Sequence, residues 1–526
     1  MEASDITSIG DLIRFQAQER GDQTVFVFEG SDTSYRELHE RSNQAANGLL
    51  TLGVKAGDRI AYMGKNTAAY FEILAAAAKI GAVMTPINWR LAAPEVAYIV
   101  NDSTAQILFV GAEFADVVRE LRQPLNFVHT IFGVEGANGD VPDFVQWRDR
   151  FATTTPAIKC AAGDDAIQLY TSGTTGHPKG AIMTHGSVLI KRTLAEEAAL
   201  HDWQRTVPGE TSLLAMPCFH VSGTLFGMTT LRNGTTAIIV REYNPSQALD
   251  FIEQYGISKI FMVPAAIQIM LNHPRIAEID FSRLKYITYG ASPIPLDLMT
   301  RSMEVFGCGF VQMYGMTETS GTITTLNPED HHVNGSTRMR SVGKPLTGVE
   351  IKIINDNGDS VPTGEVGEIA TRSAQNMKGY WNLAEATAAT IDADGWLRTG
   401  DAGYVDEDGY LFIHDRIKDM IISGGENVYP AEVENAVYSH PDVADVAVIG
   451  VPDEKWGEAV KACVVLKEGA KLSESDIVAY ARQSIAGYKC PKSIDFITAL
   501  PRNPSGKILR RELRAPYWEG KSRAIN

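Results

Sequence analysis

The sequence predicts an α/β protein in two parts. Residues 1–416 form a large N-terminal domain of two wound α/β subdomains plus a β-rich subdomain, and residues 417–526 form a small α+β domain. Three observations predict this. β-type runs alternate with helical stretches over 23–110 and again over 211–312, as crossover-linked parallel sheets require. After about 340, short strands are punctuated by Asn-Gly, Asp-Gly and Gly-Asp turns, the grammar of antiparallel hairpins. Finally, 526 residues exceed what one ordinary core holds together.

In chain order, TVFVFEG, RIAYMG, AVMTPIN and AQILFVG are the first strands, interleaved with the helical YRELHERSNQAANGLLTLG and AAYFEILAAAAKIG. TSLLAMP, TTAIIV, KIFMVP, YITYG and GFVQMYG repeat the pattern. VEIKIINDNGDSVPTGEVGEIATRS and GWLRTGDAGYVDEDGYLFIHDR supply the hairpins. In the last part, PAEVENAVYSH is helical and VADVAVIGV and AVKACVVL are strands. A further helix starts at Ser473, whose side chain and that of Asp476 have capping-box spacing.

Composition narrows the function classes. A formal net charge of −16 argues against nucleic acid or an anionic membrane as the main partner, since both reward basic patches. MEASDITSIGDL carries acids where a signal peptide has its basic segment, and the richest apolar run, ILAAAAKIGAVM, is broken by Lys79. Cys160, Cys218, Cys308, Cys463 and Cys490 form no C-x-x-C pair, so neither a disulfide framework nor a zinc site is indicated. A reducing cytoplasm is the expected location, with no membrane span and a homodimer left open.

The stretch YTSGTTGHPKGAIMTHG, residues 170–186, carries chemistry. Its glycines allow close approach of backbone N–H groups to oxygen anions, while its hydroxyls and Lys179 add donors and charge. It is not a Walker A loop, because Lys179 precedes Gly180 and is followed by no hydroxyl.

Downstream lie YGMTETSG (314–321), GWLRTGD (395–401), DRIKDMIISGGENVYPAEVE (415–434) and NPSGKILRREL (503–513). In this order and spacing, over nearly the whole chain, the five motifs resemble the adenylate-forming superfamily of acyl-CoA synthetases, adenylation domains and firefly-type luciferases. The resemblance implies an ATP-dependent acyl-CoA ligase using ATP, Mg2+ and coenzyme A. A carboxylic acid and ATP give acyl-AMP and pyrophosphate; a thiol then captures the acyl group.

The resemblance also implies roles. Thr171, Ser172, Gly173, Thr174, Thr175, Gly176 and Lys179 would cradle the β- and γ-phosphates. Glu318 would hold magnesium, and Thr317 beside it would touch the α-phosphate. Tyr314 and Gly315, with Gly290, Ala291 and Ser292, would sandwich adenine; read alone, Tyr314 is a core aromatic. Asp401 would accept from both ribose hydroxyls, and Arg416 would approach ribose and phosphate. Lys507 would stabilise the charge that develops as acyl oxygen meets phosphorus. A mobile small domain would turn about Lys418, where many relatives have Asp. The turned domain would bring Ser423, Gly424 and Gly425 to the pantetheine tunnel, with Arg90, Trp456 and Lys489 contacting the CoA nucleotide.

Substrate choice is expected along MPCFHVSGTLFGMTT. Its His220 would stand where acyl and thiol channels meet. Phe219, Val221, Gly223, Thr224, Met228, Val263, Ile267, Met313 and Thr322 would complete a largely apolar pocket, to which small glycines, Gly227 and Gly321 included, lend depth. A medium- to long-chain fatty acid comes first; aryl, cinnamic or bulky alicyclic (steroid side chain) acids need only the same dry slot. The same motifs would also serve an enzyme with a non-CoA acceptor. A non-catalytic nucleotide-binding relative is disfavoured by retention of Glu318, Asp401 and Lys507.

Overall fold

The computed structural model describes residues 5–114, 117, 120–121, 125–136, 141–171, 178–190, 200–205, 207, 209–292, 294–332, 334, 336–416, 419–423, 426–453, 456–502 and 508–519. Two large sheets dominate it. The seven-stranded sheet runs Gly379–Tyr380, Lys179–Thr184, Asp165–Thr171, Val83–Ile87, Arg59–Met63, Ile107–Gly111, Thr130–Val134. The nine-stranded sheet runs Lys344–Pro345, Gly321–Leu326, Gly309–Met316, Tyr286–Gly290, Lys259–Met262, Thr211–Leu214, Thr236–Ile239, Thr24–Phe28, Ser31–Ser34.

The hairpins form a four-stranded antiparallel sheet of Val349–Ile354, Gly367–Ser373, Leu397–Val405 and Leu411–Arg416. A five-stranded sheet closes the chain: Glu426–Val428, Ile421–Ser423, Gly457–Leu466 and Val443–Asp453 in order, with Ser493–Phe496 parallel to Gly457–Leu466. The Ser473–Asp476 capping box is formed at the helix Glu474–Ala481.

One expectation is corrected. TVFVFEG does not belong with the strands that follow it: Phe26 pairs in parallel with Ala237, so the first strand lies in the second sheet. The two subdomains also share a core cluster, beside one of their own on the other face of each sheet. Phe26, Leu214 and Ile239 of one sheet pack in the same cluster as Ile60, Met84, Phe109 and Ile167 of the other. The helix Ala68–Ile80 runs through this cluster, and its residues from Tyr70 on are all buried. Thr67 caps its start and Gly81, at φ 72°, ends it in the left-handed conformation that glycine adopts without strain. Its Phe71 ring stacks on Phe26 at 4.8 Å.

Two charges ride on this helix. Glu72 receives Arg148 Nη1 at 2.9 Å on both oxygens, and both side chains are buried. Lys79, the residue that breaks the apolar run, is buried and donates to Asn43 Oδ1 at 2.7 Å, Ser42 Oγ at 2.6 Å and the His39 carbonyl at 2.8 Å. Among the described residues, no helix is long and apolar enough to cross a membrane.

Buried histidines make stability depend on pH. Burial pushes His185 and His331 down to about 4 from an ordinary 6.5. The Asn327 carbonyl takes the His331 Nδ1 proton at 2.8 Å, leaving Nε2 to face the Tyr289 hydroxyl at 3.0 Å. Between pH 4 and 6.5 the unfolded chain holds more protons at these sites than the folded one, so stability falls as pH falls through that window. Each histidine is expected to cost about 2 kcal/mol between pH 7 and 5. Thermal midpoints at the two pH values should diverge less in His331→Gln than in the parent chain; an equal divergence would remove this histidine from the account.

Candidate active site

A cleft of about 1190 Å³ lies where the two large sheets, the hairpin sheet and the small domain meet. The strands Asp165–Thr171 and Lys179–Thr184 pair antiparallel, with Thr171 opposite Lys179, so both ends of the glycine-rich loop are placed at the cleft wall. Ser172, Gly173, Thr174, Thr175 and Gly176 lie outside the described residues.

The strand Gly309–Met316 also reaches the cleft: it carries Gly315 and leads into Thr317 and Glu318, all three on the wall. Gly290 lies next to Met313 in the sheet, and a Cβ there would overlap the Met313 carbonyl oxygen. Ala291 follows with φ 67°, turns out of the strand and reaches the wall; Ser292 comes next in the same turn. Tyr314 donates its hydroxyl to Asp401 Oδ2 at 2.7 Å, so the two residues proposed to meet adenosine touch each other. The Thr399 hydroxyl accepts from the Asp401 N–H at 3.1 Å and donates to the Ile369 carbonyl at 2.8 Å, which fixes the middle of the strand Leu397–Val405. Arg416 is the strand partner of Asp401.

Glu318 is buried, and its Oε1 accepts the Tyr380 hydroxyl at 2.8 Å. Among the described residues it forms no ion pair, and no group of three metal-ligating side chains exists. The Lys179 ammonium sits 4.3 Å above the Tyr380 ring.

The helix Val221–Asn233 begins at His220, its N-cap, and turns one face to the cleft with Val221, Ser222, Leu225, Phe226, Met228, Thr229 and Arg232. His220 Nε2 is buried and hydrogen-bonds to none of the described residues. Burial, with the Arg90 charge adding, pushes its ring down to about 4, so it is neutral at neutral pH. Met313 and Thr322 also reach the wall.

The remaining expected pocket residues stand behind it. Thr224 is buried against the Tyr70 hydroxyl at 2.6 Å, and Ile267 is in the core beside Met270. Phe219 packs on Trp89 and His220, and Val263 caps a helix. Gly223 and Gly227 do not add depth: a Cβ would overlap the Pro217 carbonyl at the first and the Phe71 ring at the second. They let the helix sit against the core, and of the three glycines only Gly321 reaches the cleft.

From the small domain, Asp419, Ile508, Leu509, Arg510 and Arg514 reach the wall; Arg514 pairs with Asp419 at 2.7 Å and Arg510 with Glu434 at 2.7 Å. Lys507, Lys418, Gly424 and Gly425 lie outside the described residues. Arg90 is held by Glu242 at 2.6 Å and by the Trp89 ring at 4.4 Å, and Lys489 by Glu432 at 2.7 Å. Trp456 is 40% exposed and Ser423 is buried. The cleft brings none of these four together.

Residues 13–381 match the AMP-binding enzyme family, and residues 432–507 match the AMP-binding enzyme C-terminal domain. The chain belongs to the AMP-binding enzyme family. It is 42% identical over 514 residues to a fatty acid–[acyl-carrier-protein] ligase of Streptomyces coeruleorubidus, covering 97% of each chain. It is 37% identical over 520 residues to a long-chain-fatty-acid–CoA ligase of Mycobacterium tuberculosis, covering 97% of this chain and 98% of the other. Among solved structures, an anthranilate CoA ligase in complex with anthranoyl-AMP superposes with a TM-score of 0.87 at 28% identity, over 98% of this chain and 99% of that one. This AMP-binding enzyme is therefore an ATP-using, AMP-forming acid–thiol ligase, with the large and small domains of adenylate-forming enzymes.

Sequence reasoning passed over three cleft residues of this AMP-binding enzyme. Besides Tyr380, Glu368 takes the Gly400 N–H at 3.1 Å and Arg398 at 3.2 Å, and burial raises its pKa. Gln375 donates to the Thr322 carbonyl at 2.7 Å and so fixes the turn after Glu318. Each stands outside the motifs, and only the chain path brings it to them.

Proposed function

We propose that this enzyme joins a medium- to long-chain fatty acid to coenzyme A through an acyl-adenylate. The observation that carries the reading is the run of Val221, Leu225, Phe226 and Met228 that the helix Val221–Asn233 turns to the cleft, which starts beside His220 and continues the wall that holds Thr317 and Glu318. From Val221 to Met228 this run spans about 10 Å, more than one aromatic ring needs. The named activities of the fatty-acid ligases it resembles support the same substrate class.

In this reading Thr171, Lys179 and the glycine-rich loop hold the leaving pyrophosphate. Tyr314 and Gly315, with Gly290, Ala291 and Ser292, hold adenine, while Asp401 and Arg416 hold ribose. Glu318 fits a hard cation: it is a buried oxygen donor with no cationic partner among the described residues. A magnesium ion held by one carboxylate, triphosphate oxygens and water would draw charge from the triphosphate. Neutral His220 lines the path between acyl group and thiol. Lys507 meets the developing charge, and the small domain, beginning at 417 and hinged at Lys418, turns to admit CoA.

A carrier-protein thiol is the second reading, favoured by the 42% identity to an acyl-carrier-protein ligase. Pyrophosphate release is the measurement, with short, medium and long fatty acids, benzoic, cinnamic and alicyclic acids, each with CoA, with a phosphopantetheinylated carrier protein, or with neither. Release with C8–C16 acids and a CoA thioester detected by mass is the expected result. Thioester on the carrier protein alone would move the acceptor; preference for an aryl or alicyclic acid would overturn the substrate class.

A further inference from the structure

The two groups that meet the triphosphate and its metal in that reading, Lys179 and Glu318, are opposite charges at the wall of one cleft. Left to themselves, an ammonium and a carboxylate in a partly dry cleft pair with each other, and the pair must break before either can serve the nucleotide. Tyr380 holds both: its ring lies under the Lys179 ammonium at 4.3 Å, and its hydroxyl donates to Glu318 Oε1 at 2.8 Å.

The tyrosine is fixed from both sides. Its strand adds to the edge of Lys179–Thr184, pairing Tyr380 with Ala181, and the Trp381 N–H donates to the Gly180 carbonyl at 2.8 Å. Three residues before it, the Met377 N–H donates to the Glu318 carbonyl at 2.8 Å. Beyond it, the Trp381 ring lies 3.5 Å from the Arg59 guanidinium carbon, and its Nε1 donates to the Asp102 carbonyl at 2.9 Å. One short segment thus grips both the strand that starts at Lys179 and the backbone of Glu318.

We propose that Tyr380 is a positioning residue that holds Lys179 and Glu318 apart, each in a contact weak enough to be surrendered to phosphate or metal. A ring face attracts a cation without neutralising it, and a phenol donates to a carboxylate without a counter-charge. The inference rests on the assignment of Lys179 and Glu318 to nucleotide and metal.

Calorimetric binding of ATP, with and without Mg2+, tests it beside pyrophosphate release. In Tyr380→Leu the two charges collapse together, and affinity for Mg·ATP is expected to fall about 10–100-fold while turnover at saturation changes little. Adding Glu318→Gln to that variant frees Lys179 and restores metal-free ATP affinity, a rescue that a merely structural role for Tyr380 would not produce. Tyr380→Phe keeps the ring and the fold; it should bind metal-free ATP as the parent does and need more Mg2+ for half-maximal activity. Unchanged Mg·ATP binding in Tyr380→Leu, a double variant no better than the single one, or a Phe variant with parental Mg2+ dependence would each overturn the proposal. Lys179→Ala and Glu318→Gln alone separate the two levels: if neither weakens Mg·ATP binding, the site assignment fails, whereas if both do and Tyr380→Leu does not, only the positioning role fails.

Discussion

Replacing Lys507 by alanine is expected to lower acid-dependent pyrophosphate release on the order of 10²–10³-fold, the cost of removing one preorganised charge partner from a transition state. The same variant should convert a supplied acyl-adenylate and thiol at a rate close to that of the parent. The asymmetry follows from the proposed turn of the small domain. Thioester formation also gathers charge on the acyl oxygen and the departing AMP phosphate, but in this reading the small domain has by then turned to admit CoA and carried its lysine away, so the cation serves only the first transition state. Phosphorus-31 or coupled detection of pyrophosphate, run beside mass detection of thioester from synthetic acyl-AMP, separates the halves. Equal loss in both halves would mean that the lysine supports folding or nucleotide binding; no loss in either would remove it from the reaction.

Glu72→Ala is expected to cost about 3–5 kcal/mol of stability, because it strands the buried Arg148 guanidinium. Asp149 also touches Arg148, at 2.6 Å, but is half-exposed, so it holds the loss toward the lower end without cancelling it. The paired replacement Glu72→Met with Arg148→Met removes both charges and should recover most of the loss, since matched apolar side chains avoid the desolvation that the ion pair suffers. Thermal or urea unfolding of the single and double variants is the measurement. A single variant within about 1 kcal/mol of the parent, the worth of an exposed pair, would mean that water reaches Arg148.

Much of this molecule is legible in its sequence. The strand runs from RIAYMG to GFVQMYG, the hairpins after 340 and the Ser473 cap fall where local pattern and turn chemistry place them. Pairing is not legible for TVFVFEG, because a local run declares a strand and says nothing of a partner far along the chain. At the site, Tyr314 and Asp401 can be named from their motifs, and they touch. The acyl face is harder. In VSGTLFGMTT both helix faces mix apolar with small and hydroxyl residues, one toward the cleft and one toward Tyr70 and Phe71, so periodicity alone does not tell Leu225 and Phe226 from Thr224 and Gly227. Tyr380 is invisible for a different reason: an aromatic after a glycine reads as core, and only tertiary contact shows what its ring and hydroxyl each hold.

The pairing of Phe26 with Ala237 also sets a schedule for synthesis. At the ribosome's pace of about 5–20 residues per second, Thr24–Phe28 leaves the exit tunnel roughly 10–40 s before the strand that must receive it. During that interval VFVF, bordered by one short hairpin partner, is an unfilled sheet edge of apolar residues, the kind of surface that other nascent chains and holdases bind. The first strand of this enzyme is thus sealed only after nearly half of the chain has been made, and its yield in a cell will depend on what covers those residues while they wait.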